Sequence, residues 1–409
     1  MSINFECRSC GSKQGELVVD LGIQPLANNL LLAADLEKLE PKFPLRMAVC
    51  HSCWLLQIVD LVPPVQLFSE YLYFSSFSDL MLSHAREAAS RYVKEYELDS
   101  SSLVVEVASN DGYFLQYFKA LGVPSLGIEP AANIAKVAVE KGIETLVEFF
   151  GKSLGMRLAE EGRKADLILG NNVFAHAPET NDFVAGLAAQ LKSAGRIILE
   201  FPYALDFIEK TEFDTIYHEH VFYFSLTALI PLFKRHGLEI YHVERLAIHG
   251  GSLRLFASHI GAQTIRETVA LLLNEEKSKG MASAGYYSSF AEKVLELKKS
   301  LNGLIEQLRG QGKRVAAYGA SAKGSTLLNF FGLDNRALDF VVDRSTYKQG
   351  RLTPGTHIPI VAPDQLLARQ PDYTLLLTWN FADEILKQQQ AYRDAGGKFI
   401  VPIPKVTVV

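Results

Sequence analysis

LVVEVASNDGYFLQYF, residues Leu103–Phe118, runs from an apolar stretch through a tight polar turn into a helical pattern. LVVEVA has the length and β-branched content of a buried strand, and the helix is expected to begin near Tyr113. The same order of strand, turn and helix repeats downstream through SLGIEP, DLILGNN and RIILEFP. Apolar runs separated by helical patterns predict a doubly wound α/β domain with a mainly parallel sheet. Upstream, SHAREAASRYVKEYEL has helical spacing. Downstream, ERLAIHGGSLRLFASH reads as two strands around a Gly-Gly turn. A helical stretch of roughly Ala262–Arg309 then leads to a second α/β pattern from Lys313, with RVAAYGAS, LDFVVD and YTLLLTW as buried parallel strands. Residues 1–65 are Pro-rich and irregular. Three units are therefore expected, at 1–65, 66–245 and 246–409, the last including the helical linker.

With 409 residues the chain is too long for one ordinary core. Its net charge of -5 offers no overall basic field for nucleic acid. The first residues, MSINFECRSC, lack the basic-then-apolar layout of a signal peptide, and no apolar run approaches a membrane span. A cytoplasmic location is the expectation, with neither nucleic acid nor membrane as partner.

All four cysteines fall in the first unit, as Cys7-x-x-Cys10 and Cys50-x-x-Cys53 with 39 residues between the pairs. Each knuckle turns two thiolates toward one point, and two knuckles supply the closed tetrahedral shell that Zn2+ favours. The spacing is longer than that of a simple ribbon, so an insertion must bridge it. His51, inside the second knuckle, is not counted as a ligand. A shell with no open position predicts a structural metal. Free or disulfide-bonded cysteines are the bland alternative, and a disulfide framework does not suit so large an unsecreted chain.

The turn after the leading strand carries one glycine and two acids, in Glu106-Val-Ala-Ser-Asn110-Asp111-Gly112. A dinucleotide site needs several glycines there, so that backbone can approach pyrophosphate. Acids repel a diphosphate and suit a ligand with a positive sulfonium and no phosphate, S-adenosylmethionine. Glu129 ends the next strand, 23 residues after Glu106, where an acid accepts ribose hydroxyls. Asn171 and Asn172 end a later strand, at the carboxyl edge where open α/β sheets bind ligands. The alternative is an ordinary helix capped by Asp111.

Tyr217-His218-Glu219-His220 precedes the strand-like run VFYFS. If extended, Tyr217 and Glu219 share one face and the histidines the other; in a loop all four could approach one site. A metal site lacks the helical spacing of HExxH, and surface histidines on a loop remain a bland alternative. To methylate a carbon next to a ketone, a base must remove a proton and donors must stabilise the enolate. Histidine suits the base, and Tyr73 and His176 are candidate donors. Gly319-Ala-Ser321-Ala-Lys323-Gly324 opens a helix after a strand and suits a phosphate, although a tightly packed helix start would look the same. Asp343, ending the next strand, keeps open a dinucleotide site and with it a nucleotide-sugar oxidoreductase. His249-Gly-Gly-Ser252 and Arg254 are expected to face the substrate.

Taken together, the two CxxC pairs, YFSS, EVASNDG, FAHAPE, YHEHVFYFS, HGGSLR and GASAKG resemble, in this order, the sugar 3-C-methyltransferases that act on dTDP-linked 4-keto-deoxysugars. The resemblance spans essentially the whole chain. It implies a zinc-binding head, a class I S-adenosylmethionine-dependent methyltransferase domain of Rossmann-like build, and a second Rossmann-like domain. It also implies that His220 removes the C3 proton, that Tyr217 and Glu219 belong to the same cluster with Glu219 assisting or binding sugar, and that Tyr73 and His176 hydrogen-bond the C4 enolate oxygen.

Overall fold

A computed structural model describes residues 4–68, 74–247 and 250–409. Tyr73 and His249 lie outside the described residues. The strands are β1 Gly15–Pro25, β2 Lys42–Cys50, β3 Leu56–Ile58, β4 Val104–Val107, β5 Ser125–Ile128, β6 Thr145–Leu146, β7 Ala165–Asn171, β8 Leu191–Pro202, β9 Phe222–Tyr223, β10 Leu238–Leu246, β11 Ser252–His259, β12 Val315–Tyr318, β13 Val341–Val342, β14 Ile360–Val361, β15 Tyr373–Leu376, β16 Lys398–Val401 and β17 Thr407–Val408. They form three sheets, ordered β1-β2-β3-β9, β10-β11-β8-β7-β4-β5-β6 and β14-β13-β12-β15-β16-β17.

The seven-stranded sheet holds the quoted stretch at its centre. All four residues of β4 are buried, as expected of a strand covered on both faces by helices. β4 pairs in parallel with β5 on one side and β7 on the other, so the chain reverses its winding there. The helix after the turn starts at Leu115, two residues later than expected. The helix Asp79–Glu95 covers one face. Ser78 caps it by accepting the Met81 amide, and Met81, Ala85, Ala88, Ala89 and Tyr92 form its buried stripe.

The sequence-drawn division at 245/246 cuts through this sheet. β10 and β11 are the antiparallel hairpin read around Gly250-Gly251, and β11 pairs with β8, so the sheet closes only at His259. The long helical linker is three helices, Glu267–Lys279, Ala284–Tyr287 and Phe290–Gly310, the first stopped by Gly280 in the left-handed region.

The six-stranded sheet repeats the switch: β12 pairs in parallel with β13 on one side and β15 on the other. The four-stranded sheet is not confined to the head, because its edge strand β9 lies two residues past His220 and pairs with β3. Among the described residues no helix is long and apolar enough to cross a membrane.

Candidate active site

Ligands of open α/β sheets bind beyond the carboxyl ends of the strands where the winding reverses. Here both switch points face one cavity of about 700 Å3. Its floor at one end is made by the turns after β4, β5 and β7. Its far end is made by the turns after β12 and β15, and Asn28 of the head closes a side.

At the first end the backbone is bent sharply. Ala108, Asn110 and Asn172 all have positive φ (54°, 50° and 53°). Glu129 faces the cavity and is held from behind: its Oε2 accepts the Asn110 amide at 3.0 Å and its Oε1 the Ala131 amide at 2.9 Å. Burial pushes this carboxyl above its usual range, and the two amides counter the push. Each oxygen keeps a further lone pair for a ligand hydroxyl. Asn110 and Asn171 line the same end, and Asn110 Oδ1 accepts the Ser75 amide at 2.9 Å.

The other expected acids are not at the cavity. Asp111 is buried, taking a 3.1 Å bond from Lys141 and another from Ser76 Oγ. Glu106 is fully buried behind the turn, and burial, with Asp111 and Glu129 nearby, drives its carboxyl well up toward the neutral form. Gly112 packs against the helix Ala132–Glu140 and the loop after it: a Cβ there would meet Ile143 Cγ1 at 3.1 Å and Ala138 Cβ at 3.3 Å, and its φ is 73°. The expectation of a carboxylate-lined pocket is therefore corrected to a single ligand-facing acid, Glu129, in this turn region.

Tyr217–His220 form a turn rather than a strand. His220 Nδ1 donates to the Thr215 carbonyl at 3.0 Å. That bond fixes the tautomer of the neutral ring and leaves Nε2 as acceptor, and the Tyr217 hydroxyl donates to it at 2.6 Å. Both side chains line the cavity, as does His176, whose ring lies 4.8 Å from that of His220. Burial lowers the His176 pKa to about 4, so the ring is neutral at pH 7. His218 turns away and donates to the Pro44 carbonyl at 3.1 Å. Glu219 is also buried behind the wall, where Asn28 Nδ2 donates to its two oxygens at 2.9 and 2.8 Å.

This loop is fastened from two sides. Thr326 Oγ1 donates to the Ile216 carbonyl at 3.0 Å, and Trp379 Nε1 to Asp214 Oδ2 at 2.7 Å. Burial raises Asp214 to about 6 and Glu212 to about 7, with the Lys323 ammonium pulling both back.

At the far end Ser321 caps the helix Ala322–Phe331 by accepting the Gly324 amide, and Lys323 and Lys348 line the cavity. Lys323 Nζ is buried over the Trp379 ring, 5.0 Å from its centroid, and has no protein hydrogen-bond partner among the described residues. Asp343 accepts the amides of Ala320 and Ser345, both at 2.8 Å, and unlike Glu129 it does not line the cavity. Arg254 is removed from the cavity: its guanidinium is buried in ion pairs with Glu200 at 2.6 Å and Glu244 at 2.9 Å. Gly250 and Gly251 pack on Glu212 and Asp206, and Ser252 is buried at the start of β11. Asn28 and Lys348 had no recognisable signal in the sequence.

The four cysteine sulfurs lie within 4.8 Å of one another, and the Cys7–Cys53 and Cys10–Cys50 separations are 3.5 and 3.6 Å. A tetrahedral Zn2+ with Zn–S near 2.3 Å places its sulfurs about 3.8 Å apart, so the shell fits the ion. The residue after each knuckle, Gly11 or Trp54, is left-handed (72° and 61°). Among the described residues no other group of three or more ligands is assembled for a metal, and the YHEH metal reading falls away.

Residues 7–68, 81–243 and 247–404 match in turn the family models described as "Putative zinc binding domain", "Methyltransferase domain" and "C-methyltransferase C-terminal domain". The chain is 38% identical over 405 residues to C-methyltransferase NovU of Streptomyces niveus, covering 99% of this chain and 96% of that protein. Weaker likeness extends to solved structures. Magnesium protoporphyrin IX methyltransferase of Synechocystis PCC 6803 with bound SAM is 15% identical over 44% of this chain and 79% of its own, with a TM-score of 0.34. An S-adenosylmethionine-dependent methyltransferase of Clostridium acetobutylicum is 9% identical over 44% and 92%, with a TM-score of 0.35. The protein is thus an S-adenosylmethionine-dependent methyltransferase with a zinc-binding head. More particularly, it belongs to the C-methyltransferase family represented by NovU.

Proposed function

We propose that the protein methylates C3 of a nucleotide-linked 4-keto-deoxysugar, most simply a dTDP-sugar, through an enolate. One observation carries this reading. A tautomer-fixed histidine, His220, stands with Tyr217 and a neutral His176 between the Glu129 end of the cavity and the cationic end at Lys323.

Glu129, Asn110 and Asn171 would hold S-adenosylmethionine, which when bound supplies an electrophilic methyl carbon. Ser321, Lys323 and Lys348 would hold the diphosphate of the sugar nucleotide. His220 Nε2 then takes the C3 proton; the C–H electron pair moves into the C3–C4 bond and the ketone oxygen becomes an enolate. Tyr217, already bonded to Nε2, must yield that lone pair and is placed to orient the ring. Neutral His176 hydrogen-bonds the enolate oxygen and keeps its own proton, because the N–H of a neutral imidazole is a far weaker acid than an enol. Tyr73 is proposed as the second donor. Glu219 acts through Asn28.

The test is hydrogen exchange at C3. In D2O with S-adenosylhomocysteine and a dTDP-linked 4-keto-6-deoxysugar, the wild type exchanges C3–H, and with S-adenosylmethionine it yields a C3-methyl product by NMR. His220→Ala should bind S-adenosylhomocysteine normally and lose exchange by roughly 10²–10⁴-fold. Undiminished exchange in His220→Ala would remove the base from the mechanism.

A further inference from the structure

The zinc-binding head does more than brace the fold. Asn28 sits in a turn in which the Asn29 amide donates to the Leu26 carbonyl at 3.1 Å and the Leu30 amide to the Asn28 carbonyl at 2.9 Å. Three residues on, Leu31 and Leu352 exchange backbone hydrogen bonds of 3.0 and 2.8 Å, and Arg351 reaches the Leu30 carbonyl at 3.4 Å. The turn is thereby strapped to the C-terminal domain close to Lys348, and Asn28 lines the cavity together with Lys348, Ser321, Tyr217 and His220.

The orientation of the Asn28 amide follows from its partner. Glu219 is buried, and both its oxygens lie against the NH2 end of Asn28, at 2.9 and 2.8 Å, an arrangement that the ionised carboxylate favours because it can only accept. Asn28 lines the cavity, and with Nδ2 engaged by Glu219 its remaining amide atom, Oδ1, is the one available to a ligand. A carboxylate behind the amide polarises it and strengthens that oxygen as an acceptor. Tyr217 and His220 approach the reacting carbon from the same wall.

We infer that Asn28, from the zinc-binding head, is a substrate-binding residue whose Oδ1 accepts a hydrogen bond from the hydroxyl or amine on C3 of the sugar, with Glu219 as the residue that positions it. This rests on the enolate reading above. It assigns the head a direct part in choosing substrate, because a site built to accept a hydrogen from a substituent discriminates against a substrate that lacks one.

The probes are a dTDP-linked 4-keto-6-deoxysugar with a C3 hydroxyl and its 3-deoxy counterpart. Asn28→Ala should lower kcat/KM on the hydroxyl sugar by roughly tenfold or more and leave the 3-deoxy sugar nearly unchanged. Affinity for S-adenosylhomocysteine should be unmoved. Since Asn28→Ala leaves the Glu219 charge without its partner, the double variant Asn28→Ala/Glu219→Gln is measured alongside. It removes the orphaned charge and should show the same selective loss. An equal loss on both sugars, or on neither, overturns the Asn28 assignment and leaves the enolate reading standing. If the wild type turns over neither sugar, the sugar reading fails and the assignment fails with it.

Discussion

Glu129 Oε2 accepts the backbone amide of Asn110 at 3.0 Å, tying the end of β5 to the turn after β4. Asp111, next in sequence to Asn110, is instead paired with Lys141 at 3.1 Å behind that turn. The two acids should therefore respond differently to replacement. Glu129→Ala should weaken S-adenosylhomocysteine by roughly 10–100-fold, the loss expected when a hydrogen bond to a charged group is removed. Asp111→Asn should keep that affinity and cost stability on the order of 1–3 kcal/mol, because it breaks a buried charged contact. Calorimetric titration and urea denaturation separate the two. Equal affinity losses would mean that Asp111 touches the cofactor after all.

Glu219 gives the protein a pH dependence with a defined sign. Burial raises its carboxyl to about 7 from an ordinary 4.5, with Asn28 and Lys348 opposing. The native state binds more protons than the unfolded chain between these values. The stabilisation is complete below about pH 4.5 and is lost as pH rises to about 7, amounting to roughly 3 kcal/mol. Glu212 and Asp214, raised to about 7 and about 6, act in the same direction. His176, lowered to about 4 from 6.5, acts oppositely, costing stability as pH falls through that window. Glu219→Gln should therefore lose less stability between pH 5 and pH 7.5 than the wild type, read by urea unfolding at each pH. An unchanged difference would mean that Glu219 is ionised throughout.

The zinc shell and the reacting loop are joined by a short run of backbone. Cys53 is three residues before β3, and β3 pairs with β9 directly after His220. Chelation should therefore abolish turnover while S-adenosylhomocysteine affinity stays close to that of the metal-loaded protein, since Glu129 and Asn110 lie in turns of the seven-stranded sheet, not of the four-stranded one. Amide exchange at Phe222 and Tyr223 should rise in step. Refilling with Cd2+ or Co2+ should restore activity, because a closed thiolate shell presents no coordination position for chemistry. Rates that vary with the identity of the refilled metal, at equal folding, would point to a catalytic ion.

Local patterns carried most of what the sequence discloses. Two CxxC pairs define a metal shell by spacing alone, and the runs around β4, β5, β7 and β12 are apolar because each is covered on both faces. The failures came from side-chain direction and distance. Nothing in VASNDG tells which acid meets Lys141, 30 residues away, and which residue meets the cavity. Asn28 and Glu219 are 191 positions apart, so no spacing rule links them. Arg254 reads as a substrate cation until Glu200 and Glu244 are seen to enclose it. The division at 245/246 crosses the β10–β11 hairpin, whose pairing no local pattern discloses, although the family models divide the chain at nearly the same place, between 243 and 247.

Lys323 holds a buried ammonium against an aromatic face, with two acids near enough to pull on it but none bonded to it. Such a charge is costly to bury without a partner, and a diphosphate would supply one. Lys323→Met should therefore raise KM for the sugar nucleotide by roughly 10–100-fold with a smaller change in kcat, matching the loss of one charge-assisted bond. The free protein should become no less stable, since the variant removes a buried cation and keeps the stem that covers Trp379. Glu212 and Asp214 would lose the cation that now lowers them and should titrate higher still, which carboxyl NMR resonances report. If KM stays at its wild-type value while the carboxyls shift, Lys323 serves those acids alone, and the diphosphate must lie elsewhere along the cavity.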